Sequence, residues 1–428
     1  MNTKAHGWLV VLLLAGVPLV RAQLPAFPGA EGFGRFATGG RGGAVYHVTT
    51  LADRGPGSFR DAVSQSGRTV VFDVGGVIRI TNRVSVAPNI TLAGQTAPGE
   101  GIVVYGNGVS FSGANNSITR HLRFRMGIHG DAGKDALGIA NGHDLIFDHV
   151  SVSWGRDENF SINGPVTNVT IQNCIIAQGL QHHSAGGLIQ TGGGVSILRT
   201  LYVDNHTRNP KVKGVNQFVN NVIYNWGGGG GYILGDSEGD SRANVINNYF
   251  IAGSNTTAAA FSRGNLHFRI FARNNFLDGN KNGQLDGEII PSSAYGTVSW
   301  LDKPCDQPAV TVLAPDAAVA WVARQAGASR HRDEVDRRLI EELTSFGKLG
   351  QIITRETEAP MSGAGTVRGG AVLADTDQDG MPDEWELAHG LNPKDPDDRN
   401  QAVADGYTRL EDYLNSLAAL PGVAEKTH

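Results

Sequence analysis

Short apolar segments alternate with polar turns along the chain from about Gln23 to Pro308. Clear examples are the segments at 145–147, 169–171, 196–198, 217–219, 244–246 and 268–271. Each is followed by a polar residue or pair and then by another apolar stretch, and no helical period appears in this region. The pattern predicts short β-strands joined by tight turns.

Asparagine recurs at one position of this pattern, as Asn221, Asn248 and Asn275, at intervals of 27 residues. Extended backwards, the same position falls on Thr200, Cys174 and His149. A repeat of this length with short strands indicates stacked units, none of which buries its own apolar face. Asparagine tolerates the left-handed backbone of a turn, and its amide can bond to the asparagine of the next coil.

Parallel stacking without crossover helices predicts an all-β fold, a right-handed parallel β-helix over residues 23–310. A β-propeller would need about 40 residues per blade and hairpin turns, which the pattern lacks. After Pro308, Val335, Leu339 and Leu343 follow helical spacing, so we expect a helical and irregular segment at 311–361 that packs on the coil. A glycine-rich linker at 362–374 leads to a small module at 375–417 and a tail at 418–428.

The module opens with the spacing of a calcium-binding loop. Loop positions 1, 3, 5, 7, 9 and 12 are Asp375, Asp377, Asp379, Met381, Asp383 and Glu386, with Gly380 at the bend. This is the EF-hand arrangement, in which carboxylates, one backbone carbonyl and a closing glutamate surround Ca²⁺. A second half-loop at 405–412 lacks acidic residues at its earlier ligand positions. We therefore predict one structural calcium site, with an acidic surface linker as the alternative.

The N-terminus and the composition indicate the compartment and the partners. An apolar run at 8–20 follows Lys4 and ends in small residues, which predicts a signal peptide at 1–22 and a secreted protein, extracellular or periplasmic. No later segment is apolar enough to cross a membrane, and two cysteines are too few for a disulfide framework. The net charge of −5 gives no reason to expect nucleic acid as a partner. We expect a monomer.

The charge is divided unevenly along the chain. Residues 375–412 contain 12 acidic and 3 basic residues, a net charge of −9. Once Lys4 and Arg21 leave with the signal peptide, the remainder carries about +2. A slightly basic β-helix suits an acidic polysaccharide as its partner. The 58 glycines are assigned to the turns of the coil.

Acidic side chains project from neighbouring coils in the middle of the chain. If Phe160 points inward, the two-residue period of a strand turns Asp157, Asn159 and Ser161 outward. Together with Asp135 from an earlier coil, these residues can form a metal site without a local loop motif. Their oxygens are ligands of the kind that Ca²⁺ prefers.

Cations follow these carboxylates along the chain. Arg208, Lys211 and Lys213 occupy one turn, and the pair His182–His183 lies one coil earlier, either in a groove or on an ordinary surface. Acidic ligands beside clustered cations suit an anionic sugar held through a bridging Ca²⁺.

Two further arginines, Arg123 and Arg125, share a strand face just before this region. They either line the groove or pair with acidic neighbours, and Arg125 is included among the candidate substrate contacts.

Several motifs carry a resemblance to a known family. They lie at 27–34, 38–43, 49–53, 72–78, 89–95 and 147–149, and in Arg208-x-Pro210-x-x-Lys213-Gly214 followed by 218–221. Together they resemble pectate lyases of polysaccharide lyase family 1 over nearly all of residues 23–350. The resemblance implies a calcium-dependent enzyme on a parallel β-helix that cleaves α-1,4-galacturonan by β-elimination.

The resemblance also implies roles for single residues. Asp135 and Asp157 match calcium ligands of the family, and its third acidic ligand falls on Ser161, which is a departure. Glu158 could replace that carboxylate if the backbone bends, although simple alternation points it inward. Arg208 matches the arginine that acts as the Brønsted base.

Three further residues are implied as substrate-binding. Lys213 stands where the family usually has a second substrate-binding arginine, and the change keeps a cation but gives up bidentate binding of a carboxylate. His183 lies near a substrate-contacting lysine of the family. Lys211 adds a cation between Arg208 and Lys213.

Other functions stay open at this point. A polygalacturonase-like hydrolase needs closely spaced paired carboxylates, and the sequence has no adjacent acidic pair beside a Gly-His-Gly turn. A carbohydrate-binding β-helix without catalysis is the second alternative. Among lyases, methylated pectin or another uronan stays open because Ser161 and Lys213 depart from the family pattern.

Overall fold

Short strands wind around one axis in the computed structural model, which describes residues 23–237 and 239–418. The predicted signal peptide at 1–22 and residues 419–428 of the predicted tail lie outside the described residues. The first strands are β1 (Ala44–Val48), β2 (Arg68–Phe72), β3 (Gly76–Arg79), β4 (Val84–Ser85), β5 (Ile90–Ala93), β6 (Ile102–Tyr105), β7 (Val109–Ser110), β8 (Ser117–Arg120) and β9 (Arg123–Arg125). The middle strands are β10 (Leu137–Ile139), β11 (Gly142–Asp148), β12 (Ser151–Ser153), β13 (Glu158–Asn163), β14 (Val166–Gln172), β15 (Ile175–Ala177), β16 (Ala185–Leu198), β17 (Leu201–Val203) and β18 (Lys211–Val219). The last strands are β19 (Val222–Tyr224), β20 (Tyr232–Leu234), β21 (Ser241–Ile246), β22 (Tyr249–Ile251), β23 (Phe261–Ser262), β24 (Phe268–Arg273), β25 (Phe276–Asp278), β26 (Glu288–Ile289) and β27 (Ser299–Trp300).

Helices are short and lie outside the coil. They are α1 (Phe59–Ala62), α2 (Pro315–Gln325), α3 (Glu334–Thr344), α4 (Asp383–Ala388) and α5 (Arg409–Ala418). Single 3₁₀ turns lie at Gly94–Thr96, Ser292–Tyr295, Ser329–His331 and Asp398–Asn400. No helix within residues 23–237 and 239–418 is long and apolar enough to span a membrane.

The strands form three faces of a coil. The first face contains β4, β7, β10, β13, β16, β18, β20 and β23, and the third contains β3, β6, β9, β12, β15, β17, β19, β22, β25 and β26. The second face runs from β1 through β2, β5, β8, β11, β14, β16, β18, β21 and β24 to β27. β16 and β18 are long enough to cross from the first face to the second, with an irregularity between Thr191 and Val195. The pairs along each face are parallel apart from β25–β26, and the predicted right-handed parallel β-helix is confirmed.

Aromatic and branched side chains fill the interior of the coil. Phe147 packs edge-to-face between Phe111 and Phe160, with ring centroids 5.0 and 5.1 Å apart. Phe160 is completely buried, as the alternation predicted. Because each coil is too thin to cover these rings alone, the stacked rings bury one another.

The corner between the second and third faces is turned by residues with a left-handed backbone. Asn220, Asn247 and Asn274 have φ of 58°, 54° and 51°. These are the first asparagines of the three repeated pairs, so the turn and the amide ladder belong to different columns. His149 has φ of 55° and lies beside Asn173 in the strand register, one residue before the position that the repeat assigned to it.

The second asparagine of each pair forms a buried ladder. The Oδ1 of Asn248 accepts from the backbone N–H of Asn221 at 2.8 Å, and the Oδ1 of Asn275 accepts from the N–H of Asn248 at 3.0 Å. The amide of Asn248 also donates to the carbonyl of Phe218 at 2.9 Å. Thr200 continues the column, because its N–H donates to Asn221 at 2.9 Å. The ladder therefore satisfies backbone groups that a corner would otherwise bury unpaired.

Helices α2 and α3 cover the third face. Val319 and Val322 of α2 and Leu339 and Leu343 of α3 belong to one buried cluster with side chains of the third face, including Tyr224. Asp333 caps α3 by accepting from the N–H of Asp336 at 3.0 Å.

Arg125 is part of this helix contact. Its side chain is 0% exposed, and its guanidinium donates to Asp333 and to Asp336 at 2.9 Å each through Nη2. Arg123 is also buried and pairs with Asp336 at 3.3 Å. The expected substrate contact of Arg125 is therefore wrong. Its strand belongs to the third face, which α3 covers.

The C-terminal module packs on the second face. Met381, Leu410, Tyr413 and Leu414 form a buried cluster with side chains of the first coils, Val71 and Ala93. Polar contacts surround this cluster, since Arg41 pairs with Glu411 at 2.6 Å and Arg120 donates to Asn415 at 3.1 Å. In the described part of the chain, the flanking helices cover the third face and the C-terminal module packs on the second. The first face, within the same residues, carries neither.

Replacement of Asn248 by alanine should destabilise the coil by about 2–4 kcal/mol, because it leaves buried backbone groups without partners. Urea unfolding followed by circular dichroism measures the difference. Asn163→Ala, an exposed asparagine in β13, is the matched control and should change stability by less than about 0.5 kcal/mol. Equal unfolding midpoints for both variants would contradict the ladder.

Replacement of Arg125 by alanine should cost about 3–5 kcal/mol, because two buried carboxylates lose their counter-charge. The same unfolding measurement applies, with Arg324→Ala, an exposed arginine on α2, as the control. A wild-type midpoint for Arg125→Ala would show that Asp333 and Asp336 do not depend on it.

Candidate active site

The loops that lead from the third face to the first carry the predicted catalytic residues. Asp135 ends the loop between β9 and β10, Asp157 lies between β12 and β13, His183 lies between β15 and β16, and Arg208 lies between β17 and β18. Successive coils are about 4.8 Å apart. These residues are distant in sequence but lie at the same corner of neighbouring coils.

Arg208 forms an ion pair with Glu158, the first residue of β13. The Nη1 of Arg208 donates to the Oε1 of Glu158 in a very close contact. The side chain of Glu158 is only 4% exposed, and that of Arg208 is 24% exposed. The strand register supports this contact, because Ala185 of β16 pairs with Glu158 on one side and with Thr207 on the other.

Alternation fails at the start of β13. It predicted that Glu158 points into the core and that Asn159 points outward, but the amide of Asn159 is buried and donates to the carbonyl of Ala177 at 2.8 Å and to Asn205 at 2.9 Å. Strand pairing is already regular here, since Glu158 pairs with Ala185 and Phe160 with Gly187. Asn159 is buried because later parts of the chain, at Ala177 and Asn205, receive its amide.

Glu158, Asp157 and His183 form one cluster, whose possible ligand atoms lie within 4.8 Å of one another. The Nε2 of His183 lies 3.1 Å from the Oδ1 of Asp157. Both of these side chains are partly exposed, at 44% and 38%. The cluster therefore opens to solvent and can be reached by a ligand.

Asp135 joins the cluster from the preceding coil. Its Oδ1 accepts from the backbone N–H of Glu158 at 3.2 Å, and its carboxylate also accepts from the hydroxyl of Ser161. Burial and the negative charge of Asp157 raise the pKa of Asp135 to about 6, against the opposing effect of Arg83. The carboxylates of Asp135 and Asp157 thus lie close together, and neighbouring groups compensate only part of their negative charge.

The cluster fits a calcium ion. Asp135, Asp157 and Glu158 offer carboxylate oxygens and Ser161 offers a hydroxyl, which are the hard ligands that Ca²⁺ binds. The raised pKa of Asp135 is the repulsion that a divalent cation would relieve. His183 offers only nitrogen, which Ca²⁺ does not favour.

Lys211 and Lys213 lie on the outward side of β18, two coils beyond the carboxylates. Ser161 pairs with Leu188, and Leu188 pairs with Lys211. The Nζ of Lys211 contacts Asp236 at 3.0 Å, and the Nζ of Lys213 donates to the hydroxyl of Ser237 at 3.0 Å. The first face therefore presents carboxylates on neighbouring coils and, two coils further along the axis, Arg208, Lys211 and Lys213 on a single coil.

Sequence reasoning missed two charged neighbours of this site and one ion pair. Arg83 lies beside Asp135, and Asp236 pairs with Lys211. Glu158 was named only as a possible metal ligand, and its ion pair with Arg208 was not foreseen. The separation of 25 residues between Lys211 and Asp236, about one coil, was a usable signal for their contact.

The acidic loop of the C-terminal module is folded around a common point. Possible ligand atoms of Asp375, Asp377 and Asp379 lie within 4.8 Å of one another. Burial raises the pKa of Asp379 to about 7, with repulsion from Asp377 as a further cause. The pKa of Glu386 rises to about 8, mainly through burial and the charge of Asp379.

One predicted ligand of this loop, Asp383, already has hydrogen-bond partners, whereas the ligand atom predicted at Met381 is its backbone carbonyl. Both oxygens of Asp383 accept from Thr376, one from the backbone N–H and one from the hydroxyl, each at 2.7 Å. The side chain of Met381 is buried against the coil, so its carbonyl is the atom that the motif can use.

A cavity of about 610 Å³ lies at another corner of the coil, between the N-terminal segment and α5. It is lined by Glu31, Arg120, Asp148, His149 and Arg199, among other residues. Asp148 pairs with Arg120 at 3.1 Å, and Arg199 pairs with Glu31 at 2.9 Å. These four side chains thus form two ion pairs, whereas Asp135 and Asp157 have no such partner arginine in contact among the residues that the structure describes.

The chain was compared with known proteins in three ways. No model of a protein family matches it. The probable pectate lyase C of Aspergillus flavus is 57% identical over 399 residues, which cover 92% of this chain and 94% of that protein. The probable pectate lyase C of Aspergillus fumigatus is 57% identical over 417 residues, 97% of this chain and 98% of that protein.

Solved structures share the fold. A pectate lyase analysed for its anti β-elimination mechanism gives a TM-score of 0.51 at 14% identity, over 72% of this chain and 98% of that one. A mutant of the Bacillus subtilis pectate lyase gives 0.50 at 14% identity, over 74% and 100%. At this identity the structures support the coil alone. The high identity to the two fungal proteins along nearly the whole of both chains shows that this chain belongs to the pectate lyase family.

Proposed function

We propose that the chain is a secreted, calcium-dependent pectate lyase in which Arg208 is the base. Its substrate is α-1,4-polygalacturonate, and its products are 4,5-unsaturated oligogalacturonides formed by β-elimination. The observation that carries the proposal is the position of Arg208 beside the carboxylates of Asp135, Asp157 and Glu158. The lysines of β18 lie further along the same face.

The reaction removes the C5 proton next to the C6 carboxylate of a galacturonate and expels the C4 glycosidic oxygen. That proton is weakly acidic while the carboxylate keeps its negative charge. Asp135, Asp157 and Glu158 would hold the Ca²⁺, with Ser161 as a neutral oxygen. When bound, the ion neutralises the substrate carboxylate and so increases the acidity at C5.

Arg208 must be neutral to accept the C5 proton. An arginine is normally protonated, and Arg208 forms an ion pair with Glu158. With Glu158 as a metal ligand, its negative charge would no longer face Arg208 alone. Lys211 and Lys213 contribute further positive charge from the same coil.

The lysines bind and orient the polysaccharide. Successive uronates carry one carboxylate each, and the two lysines, spaced along the outward side of β18, can pair with substrate carboxylates. Asp236 holds Lys211 in position, and a substrate carboxylate would compete for the same ammonium group. His183, beside Asp157, forms the other wall of the groove.

Two further parts of the proposal concern export and stability. Residues 1–22 act as a signal peptide, which supports secretion as the route to an extracellular polysaccharide. The C-terminal loop from Asp375 to Glu386 is proposed as a second, structural calcium site. Its position on the second face separates it from the catalytic cluster on the first face.

Incubation with polygalacturonate and Ca²⁺ should produce ultraviolet-absorbing unsaturated products, and excess chelator should abolish them. A hydrolase would release reducing ends without this absorbance, and a binding protein would release neither.

Activity should be highest at alkaline pH, because the neutral fraction of Arg208 increases as pH rises. A maximum below about pH 6 with Ca²⁺ present would count against Arg208 as the base.

Replacement of Arg208 by alanine should lower kcat by about 10²–10⁴-fold, the range expected for loss of a general base. Arg54→Ala, which removes an exposed arginine near the first coil, should retain wild-type kcat. Turnover of Arg208→Ala within threefold of wild type would reject the assignment.

Replacement of Glu158 by glutamine tests its part in the calcium site. The Ca²⁺ concentration for half-maximal activity should increase about tenfold or more, because the site loses one of three carboxylates. Glu288→Gln, on exposed β26, should leave the calcium requirement unchanged. An unaltered requirement in Glu158→Gln would restrict Glu158 to its ion pair with Arg208.

A further inference from the structure

The C-terminal module contains a buried carboxylate cluster that the loop motif does not describe. Possible ligand atoms of Asp379, Glu386 and Asp398 lie within 4.8 Å of one another. Asp379 and Glu386 belong to the loop, whereas Asp398 lies 12 residues after Glu386 in the 3₁₀ turn Asp398–Asn400. Asp379 belongs both to this cluster and to that of Asp375 and Asp377.

The cluster is deeply buried and lacks hydrogen-bond partners. Asp379 and Glu386 are 0% exposed and Asp398 is 4% exposed. Both carboxylate oxygens of Glu386, the Oδ2 of Asp379 and the Oδ1 of Asp398 accept no hydrogen bond from any described residue. Among residues 23–237 and 239–418, no lysine, arginine or histidine forms an ion pair with these three. Charges buried in this way are costly unless a cation compensates them.

The geometry suits one divalent cation. Oxygens bound to Ca²⁺ at 2.3–2.6 Å cannot be more than about 5.2 Å apart, and 4.8 Å is within that limit. The ion wants six to eight hard oxygens, most of which a loop of this spacing can supply. Asp398 adds an oxygen from outside the loop.

Asp383, the loop residue at position 9, has a different task. Its two oxygens both accept from Thr376, at 2.7 Å each. This pair of bonds closes the loop at its start and holds the carboxylate of position 9 against Thr376. Asp398 is held for ligation, because its Oδ2 accepts from the N–H of Asn392 at 2.9 Å while its Oδ1 stays without a partner.

We propose that the module binds a Ca²⁺ between Asp379, Glu386 and Asp398, so that the ion joins the loop at 375–386 to the segment that precedes α5. The proposal extends the structural calcium site proposed above and does not rest on the lyase chemistry. The joined segment also contacts the coil, since Arg399 donates to the carbonyl of Gly43 at 3.5 Å. Calcium would therefore hold the two halves of the module together and would also stabilise the contact of the module with the first coil.

Terbium titration of the full chain tests the ligand assignment. Tb³⁺ replaces Ca²⁺ at oxygen sites, and Trp385, next to Glu386, acts as the light-absorbing donor for its emission. Trp385→Phe identifies the part of the emission that comes from the module, and displacement by Ca²⁺ then gives the calcium affinity. Asp398→Asn should weaken this affinity at least about tenfold, since it removes one anionic ligand.

Asp397→Asn is the matched control, because Asp397 is the exposed neighbour of Asp398 and the variant changes the net charge equally. It should bind Ca²⁺ within twofold of wild type. Equal affinities of Asp398→Asn and wild type would overturn the proposal, and so would equal weakening in both variants.

The melting temperature of Asp398→Asn in excess chelator shows whether Asp398 is a metal ligand or only accepts the hydrogen bond from Asn392. Without metal, Asp398→Asn should melt no lower than wild type, because it relieves repulsion among crowded carboxylates and keeps an oxygen for the N–H of Asn392. With Ca²⁺, its melting temperature should increase less than that of wild type. A variant that melts lower than wild type already in chelator would show that Asp398 acts through Asn392, and the proposal would fail. If the wild-type chain showed no lyase activity while its C-terminal module bound Ca²⁺ as expected, only the catalytic proposal would be contradicted.

Discussion

The parallel ladder between successive coils is the interaction on which the rest of the molecule depends. Each coil is too thin to bury its own side chains, so it is stable only between two neighbours. The register then fixes every residue above its counterpart in the preceding coil. Phe111, Phe147 and Phe160 stack inside for this reason. The same constraint brings Asp135, Asp157 and Arg208 together at one outer corner without any motif that is contiguous in sequence.

Electrostatic compensation differs sharply among the buried clusters. Arg125 is surrounded by Asp333 and Asp336, so its charge is matched by protein groups and it holds α3 to the third face. Asp379 and Glu386 have no such partner in the described part of the chain, and the pKa of each is raised far above its ordinary value. A cluster whose charges are compensated by protein groups stabilises the packing of elements, whereas a cluster with uncompensated negative charge is suited to bind a cation.

The catalytic cluster is intermediate between these two. Glu158 is paired with Arg208, while the pKa of Asp135 is raised by Asp157. Partial compensation lets the cluster remain folded without an ion and still gain from one. Under the proposed function, Glu158 would contact Arg208 without the ion and the ion when it is bound.

The sequence was sufficient to predict the coil, because strand alternation and the recurrence of Asn221, Asn248 and Asn275 follow from backbone geometry. It was also sufficient to name Asp157 and Arg208 as candidates. It failed at Glu158 and Asn159, since their contacts with Arg208 and Asn205 join coils that are distant in sequence.

The role of Arg125 was equally hidden, because its partners lie more than 200 residues later. Asp398 was missed for a related reason. It lies outside the spacing that defines the loop, so only the folded module shows it beside Glu386.

The seat of the C-terminal module has a consequence for synthesis of the chain. Val71 and Ala93, in the first coils, are covered by Leu410, Tyr413 and Leu414 from the end of the chain. A ribosome makes the first coils early, yet their outer surface stays uncovered until nearly the last residues emerge. The end of the solenoid that is made first is therefore the last to be finished, and the nascent protein must carry an exposed apolar face through most of its translation.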